Sequence, residues 1–185
     1  GGISLKPSSY MLDMKSDMAG AATVAGVMYA AAKNKLPVHL IGLVPATDNR
    51  PSGNAYTPGD IVTMHNETTL EVINTDAEGR MILADALSFA KQYDPEMVFD
   101  FATLTGSASV AIGPQGMVAM GTIGNGWFYR LEQSGMQTYE RIVRLPLWKE
   151  YDEMIQSDVA DIKNVGGKEA GAITAGKFLE HFTSY

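Results

Sequence analysis

The chain contains no cysteine. Disulfides and thiolate zinc sites are thereby excluded, and any metal must be held by oxygen or nitrogen. Histidine is scarce: only His39, His65 and His181 occur, and no H-E-x-x-H run exists, which excludes a thermolysin-like site. Basic residues are outnumbered, 14 Lys and Arg against 21 Asp and Glu, for a formal net charge of -7. A nucleic-acid-binding face wants clustered Lys and Arg, so no nucleic-acid partner is expected of this segment. The acidity fits a protein that gathers metal cations, and fits a solvated surface equally well. No apolar run reaches transmembrane length and no basic-then-apolar leader is present, so no membrane association is expected. Neither G-x-x-x-x-G-K-S/T nor a G-x-G-x-x-G after a strand occurs, which leaves nucleotide binding without support.

What is present suffices for one domain: 185 residues, 45% of them hydrophobic. Residues 1–15 read as a loop. Residues 17–34, rich in Ala and Met, read as a helix whose Gly20, Ala21, Ala22, Ala25 and Gly26 let another element approach closely. Val38 to Val44, bounded by Pro37 and Pro45, and Met97 to Ala102 are continuous apolar runs that predict buried strands. Between them come a Pro/Gly/Asn loop over 45–60 and a hairpin of 61–64 with 68–73 around His65-Asn66-Glu67. A helix over 78–93 follows, with Ile82, Leu83, Ala86, Leu87 and Ala90 inward. Further on, short strands are predicted at 117–120 and 142–145, and helices at 127–140, 148–156 and 172–182. Helices alternating with apolar strands predict an α/β fold, a three-layer α/β/α sandwich with a mixed, largely parallel central sheet. Sites in such folds form beyond the carboxyl ends of strands, where Thr103-Leu104-Thr105-Gly106 falls.

The most informative stretch is Asn74-Thr75-Asp76-Ala77-Glu78-Gly79-Arg80. In an extended segment Asp76, Glu78 and Arg80 share a face. Two hard oxygen donors and a fixed cation suit a divalent metal and one further anion. Taken alone, the same residues would also suit a helix N-terminus, where acidic side chains are favoured.

The heptapeptide matches the signature of the leucyl aminopeptidase family, the cytosol aminopeptidases, and other segments resemble that family in order and near-family spacing. Gly1-Gly2-Ile3-Ser4-Leu5-Lys6-Pro7-Ser8 is similar to its GGISxKPS, and Met14 to Ala22 to its MKxDMxGAA. Residues 51–60 resemble PSGxAxxPGD, while Ala102 to Gly106 and Gly171 to Gly176 match two more stretches. The resemblance runs from residue 1 to about residue 182 and implies a zinc-exopeptidase-like fold.

It also implies chemistry, residue by residue. Asp17, Asp76 and Glu78 fall on metal-ligand positions, with Asp17 at the tighter site, Asp76 at the more exchangeable one and Glu78 bridging. Two divalent ions are expected, Zn or Mn, with Mg or Co compatible with the same oxygen ligands. Lys6 matches a catalytic lysine that polarises the scissile carbonyl. Arg80 matches a catalytic arginine that holds bicarbonate as a proton shuttle, which its planar fork suits. Met11, Asn74, Thr103, Leu104, Gly106 and Ala172 fall at or near positions lining a pocket for the substrate's N-terminal side chain. The implied activity is removal of apolar, leucine-like residues from peptides with a free N-terminus. The implied setting is a cytoplasmic homohexamer. A dipeptidase acting on Cys-Gly or other short peptides, and a non-catalytic binding or structural homologue, are the alternative readings.

Departures from the family pattern set further expectations. In the family, GGIS follows a K-G-x-T-F-D-S/T stretch that supplies a lysine ligand and a bridging aspartate, and the far end continues into a W-A-H-x-D strand and a closing helix. Residues 1–185 are thus expected to form a partial catalytic domain, without its N-terminal strands, its last strand and helix, and the family's N-terminal domain. Three carboxylates without those two ligands are expected to hold at most one metal tightly, leaving this polypeptide inactive or nearly so. The stretch from Ile123 to Tyr139 looks shorter and more aromatic than usual and is expected to alter subunit packing or a pocket wall.

Overall fold

A computed structural model describes residues 2–185; Gly1, the first residue of the GGIS segment, lies outside the described residues. The Pro7-led loop contains one short helical turn, α1 (Ser8–Met11), then a 3₁₀ stretch at Met14–Met18 that leads into α2 (Ala19–Lys33). The sequence AGAATVAGVMYAAAK is dominated by alanine, the strongest helix former. α2 stops at Asn34, whose side chain donates to the Ala30 carbonyl at 2.8 Å, before Lys35 turns to φ 52°.

Two small sheets follow. β1 (Ile61–Thr63) pairs antiparallel with β2 (Thr69–Glu71), with Val62 opposite Leu70. The turn is closed by Met64 N–H on the Thr68 carbonyl at 2.9 Å, with Glu67 left-handed at φ 70°. α3 (Glu78–Ala90) and α4 (Gly106–Ile112) come next. β3 (Met117–Ala119), α5 (Asn125–Thr138) and β4 (Ile142–Arg144) form a second unit in which β3 and β4 are parallel. β5 (Ile162–Lys163) adds to β2 in parallel, and α6 (Gly171–Glu180) closes the described chain's helices. Among the described residues two of the three strand pairings are therefore parallel, the mixed α/β character the sequence predicts.

The core is one cluster with β2 at its centre. Leu70 and Val72 are fully buried; Met81, Ala84 and Leu87 of α3 cover one side, and Phe178 and Leu179 of α6 join them with Ile155, Ile162 and Phe182. Apolar side chains at three- and four-residue spacing on α3 and α6 produce this helix-on-sheet contact.

Several elements differ from expectation. The loop over 1–15 contains α1, and the helix over 148–156 is 3₁₀ over Lys149–Ile155. α4 and the two-residue β5 escaped prediction. The largest difference concerns the two predicted buried strands. Among the described residues, no backbone–backbone hydrogen bond is made within 39–47 or 96–104, and neither run is a strand. Both pack on α2. A side chain at Gly20 would strike the Phe101 carbonyl oxygen at 2.1 Å, and one at Gly42 would meet Val24 and Met28 at 3.3 Å. A strand needs a partner for its ladder, and these runs have none beside them among the described residues. Their apolar side chains stay in the open, Val44 at 50% and Phe99 at 48% exposure. Together with α2 and α3 they wall a groove of about 1020 Å³.

Candidate active site

That groove carries the polar residues singled out in the sequence. Lys6, Asp17, Asp76, Glu78, Arg80, Thr103, Leu104 and Gly106 all line it. Met11, Asn74 and Ala172 are not among its lining residues: Met11 is exposed on α1, Ala172 is buried in α6, and Asn74 caps the turn before α3.

The turn explains the spacing of the carboxylates. Asn74 is extended, and its side-chain oxygen accepts from Asp76 N–H at 2.8 Å, starting a 3₁₀ turn at Thr75–Ala77. An Asn at this position satisfies an orphan N–H of the helix start. α3 then begins at Glu78, so Asp76 sits in the turn while Glu78 and Arg80 sit in the first helical turn. The extended face shared by all three in the sequence reading is thus replaced by a turn that runs into a helix. Acidic residues here are also favoured by the helix dipole.

Lys6 reaches this turn from the N-terminal loop, and its ammonium hydrogen-bonds the Asp76 carboxylate. Burial works against both charges. The Asp76 hydrogen bond and charge outweigh it at Lys6, raising that pKa, and Lys6 outweighs it at Asp76, lowering that one. Both groups stay ionised near neutral pH. The loop is fastened by a reciprocal pair: Ser4 N–H donates to Thr75 Oγ1 at 2.8 Å and Thr75 N–H to Ser4 Oγ at 3.2 Å. Gly2, at φ 57°, leaves no room for a side chain, since a Cβ would lie 2.7 Å from Thr75 Oγ1.

Asp17 comes from the 3₁₀ stretch before α2 and accepts from Thr103 Oγ1 at 2.6 Å. Thr103 is thereby tied to a carboxylate. Among the described residues no three His, Asp or Glu side chains converge at metal-binding distance, so Asp17, Asp76 and Glu78 share a groove without closing into one cluster.

Among the described residues, two atoms of the site lack partners. Glu78 Oε2 and Arg80 Nε are buried and make no hydrogen bond. Arg80 is 8% exposed, and desolvation lowers its pKa from the usual guanidinium value. Buried polar atoms left unpaired are costly, so each calls for a ligand: a cation at the carboxylate oxygen and an anion or acceptor at the guanidinium. The donor set is all carboxylate and hard, which fits a divalent cation such as Zn, Mn, Mg or Co.

Residues that sequence reasoning missed hold this turn in place. Asn49 Nδ2 and the Tyr56 hydroxyl both donate to the Thr75 carbonyl, at 2.8 and 3.3 Å. Burial, then the charges of Glu78 and Asp76, raise the Tyr56 pKa. Asn164 grips the backbone just upstream. Tyr56 lay within a motif already noted; Asn49 and Asn164 carried no signal, because a single Asn near glycine reads as loop.

The comparisons with known proteins settle the lineage. The family described as "Cytosol aminopeptidase family, catalytic domain" matches residues 1–185. The chain belongs to the cytosol aminopeptidase family. A probable cytosol aminopeptidase of Chloroherpeton thalassium is 54% identical over 185 residues, covering 98% of this chain and 36% of that protein. One from Chlorobium luteolum is 55% identical over 183 residues, with the same two shares. Among solved structures, the cytosol aminopeptidase of Coxiella burnetii superposes with a TM-score of 0.94 at 41% identity, covering 100% of this chain and 40% of that one. The bottromycin maturation enzyme BotP in complex with Mn gives 0.93 at 35% identity, covering 100% and 41%. The chain thus has the α/β fold of cytosol aminopeptidases and spans just over a third of the length of these curated relatives. No helix among the described residues is long and apolar enough to cross a membrane.

Proposed function

We propose that the protein containing these residues is a metal-dependent aminopeptidase that removes apolar, leucine-like residues from peptides with a free N-terminus. The observation that carries this reading is the pair of buried unpartnered atoms, Glu78 Oε2 and Arg80 Nε, beside the Lys6–Asp76 ion pair in one groove. Asp17, Asp76 and Glu78 would be this chain's share of the ligands for a metal pair. When bound, two divalent ions would supply a water acidic enough to attack near neutral pH and would neutralise developing negative charge. Lys6, kept protonated by its carboxylate neighbour, directs positive charge toward the scissile carbonyl. Arg80, whose buried Nε lacks a partner, would hold a bicarbonate-like anion in its planar fork, and that anion would supply a proton-transfer group. Leu104 offers apolar surface beside these groups, and we assign Thr103 and Gly106, which line the same groove, to the substrate side of the site; Met11, Asn74 and Ala172 lie outside that lining. BotP, solved in complex with Mn, supports a divalent metal in this fold.

The apolar groove between 38–47 and 97–104 is read as the seat of polypeptide lying outside residues 1–185. Its walls offer unpaired backbone and apolar side chains, which an added strand satisfies together. Residues 1–185 are then a partial catalytic domain, and the complete protein is proposed to be a cytoplasmic homohexamer, in keeping with relatives named cytosol aminopeptidases.

The test is hydrolysis by a form extended at both ends, loaded with Mn²⁺ or Zn²⁺. Leucine p-nitroanilide should be cleaved and N-acetyl-leucine p-nitroanilide left intact, because the free amine is required. Metal-loaded protein that cleaves neither would reduce the reading to a binding homologue.

A further inference from the structure

Asn164 lies at the end of β5, fully buried, and its own N–H extends the ladder to the Glu71 carbonyl at 3.0 Å. Its side chain does something else. Oδ1 accepts from Ile73 N–H at 2.8 Å and Asn74 N–H at 3.3 Å, while Nδ2 donates to the Asn74 carbonyl at 2.8 Å. The second Nδ2 hydrogen faces Met81 Sδ at 3.7 Å. Both faces of the amide are therefore consumed by the backbone of two residues, across 90 positions of sequence.

Those two residues immediately precede the ligand turn. Asn74, held by Asn164 through its backbone, turns its own side chain to cap Asp76 N–H at 2.8 Å. A rigid path of three hydrogen-bonded groups thus runs from the core to the residue that carries the Asp76 carboxylate. Only an amide supplies an acceptor and a donor at that spacing; a carboxylate would face the Asn74 carbonyl with no hydrogen to give.

We infer that Asn164 is a positioning residue of the metal site: it fixes where Asp76 and Glu78 stand, and so sets metal affinity without touching metal or substrate. This rests on the metal-dependent reading above. Groups behind ligands commonly change metal affinity or activity about 10–100-fold when altered.

The experiment uses the extended, full-length protein and Mn²⁺ as probe, read by titration of its magnetic-resonance signal and by thermal melting of the metal-free form. N164D should weaken Mn²⁺ binding about tenfold or more and lower kcat, with little change in KM. I162V, on the same strand but without a bond to residues 73–74, lowers the melting temperature and should leave Mn²⁺ affinity unchanged. Should N164D not fold, N164S, which keeps one small hydrogen-bonding group, replaces it with the same expectation. Equal Mn²⁺ affinity in wild type and the Asn164 variant would overturn the positioning role while leaving the metal reading intact. Parallel loss in I162V would show mere destabilisation and overturn it too. A wild type that binds no Mn²⁺ would overturn both.

Discussion

Leu70 on β2 is fully buried, whereas Val44, in a run just as apolar, is 50% exposed. The contrast extends to whole regions. Around β2, hydrogen-bonded neighbours on both sides and two amphipathic helices leave Phe178, Val72 and Ala84 out of solvent. Around α2, the runs 38–44 and 97–102 have helix packing but no ladder, and Gly20 is the sole buried residue of α2 itself. Apolar composition alone does not bury a strand; its backbone must be paired as well. The candidate site stands on the seam between the two regions, with the Asp76 turn anchored to the finished side and Asp17 and Thr103 carried by the open one.

The largest effect expected is in the finished region. Phe178→Ala should cost about 3–5 kcal/mol, read by denaturant unfolding, because it empties a fully enclosed position. Phe101→Ala, on the open side, should cost about 1 kcal/mol in the 185-residue chain. In the extended form the same change should rise to about 3 kcal/mol as the groove is filled. Equal costs in both forms would erase the distinction between the regions.

At the seam, Lys6→Met in the extended form should lower kcat by about 10²–10³-fold with a smaller change in KM, measured with leucine p-nitroanilide. An unchanged kcat would remove Lys6 from the chemistry.

Titration gives smaller effects on the finished side. Lys177, 5% exposed on α6, pairs with Asp152 at 3.2 Å and with Glu180. Burial opposes its charge, but those carboxylates outweigh it and raise its pKa above 10.5. Its contribution is thus fully present below pH 10.5 and is lost as pH rises through the higher folded value. The melting temperature of wild type should fall more steeply in that alkaline window than that of Lys177→Met. Asp161 behaves oppositely: bonds from Thr69 Oγ1 and N–H lower its pKa below 3.8. Its contribution is present above pH 3.8 and is lost as pH falls through the lower folded value, so Asp161→Asn should flatten a slight acid-side slope in melting temperature.

Much of the finished region was legible in sequence. Alternating and helical apolar periods gave the hairpin at 61–71 and the helices α3 and α6 to within a few residues, because each buries its face locally. β5, two residues long, has too few positions for any period to register. α4 begins after Thr105, whose hydroxyl accepts from Ala108 N–H at 3.4 Å, and a lone Thr directly before Gly106 reads as loop. The runs 38–44 and 97–102 read as buried because their residues are apolar, and no sequence window reveals whether a partner strand is adjacent. At the site, the lysine, arginine and carboxylates were legible from their motifs and do line one groove. Asn164 and Asn49 were not, since a hydrogen bond to distant backbone leaves no local pattern.

On this reading the open groove must be filled before the site works. Metal occupancy and leucine p-nitroanilide turnover, with Mn²⁺ or Zn²⁺, measured on the 185-residue chain beside a form extended at both ends, test it most directly. Two metals and turnover in the extended form only, with at most one metal and no turnover in the short chain, is the predicted result. Robust turnover by the short chain alone would contradict the account.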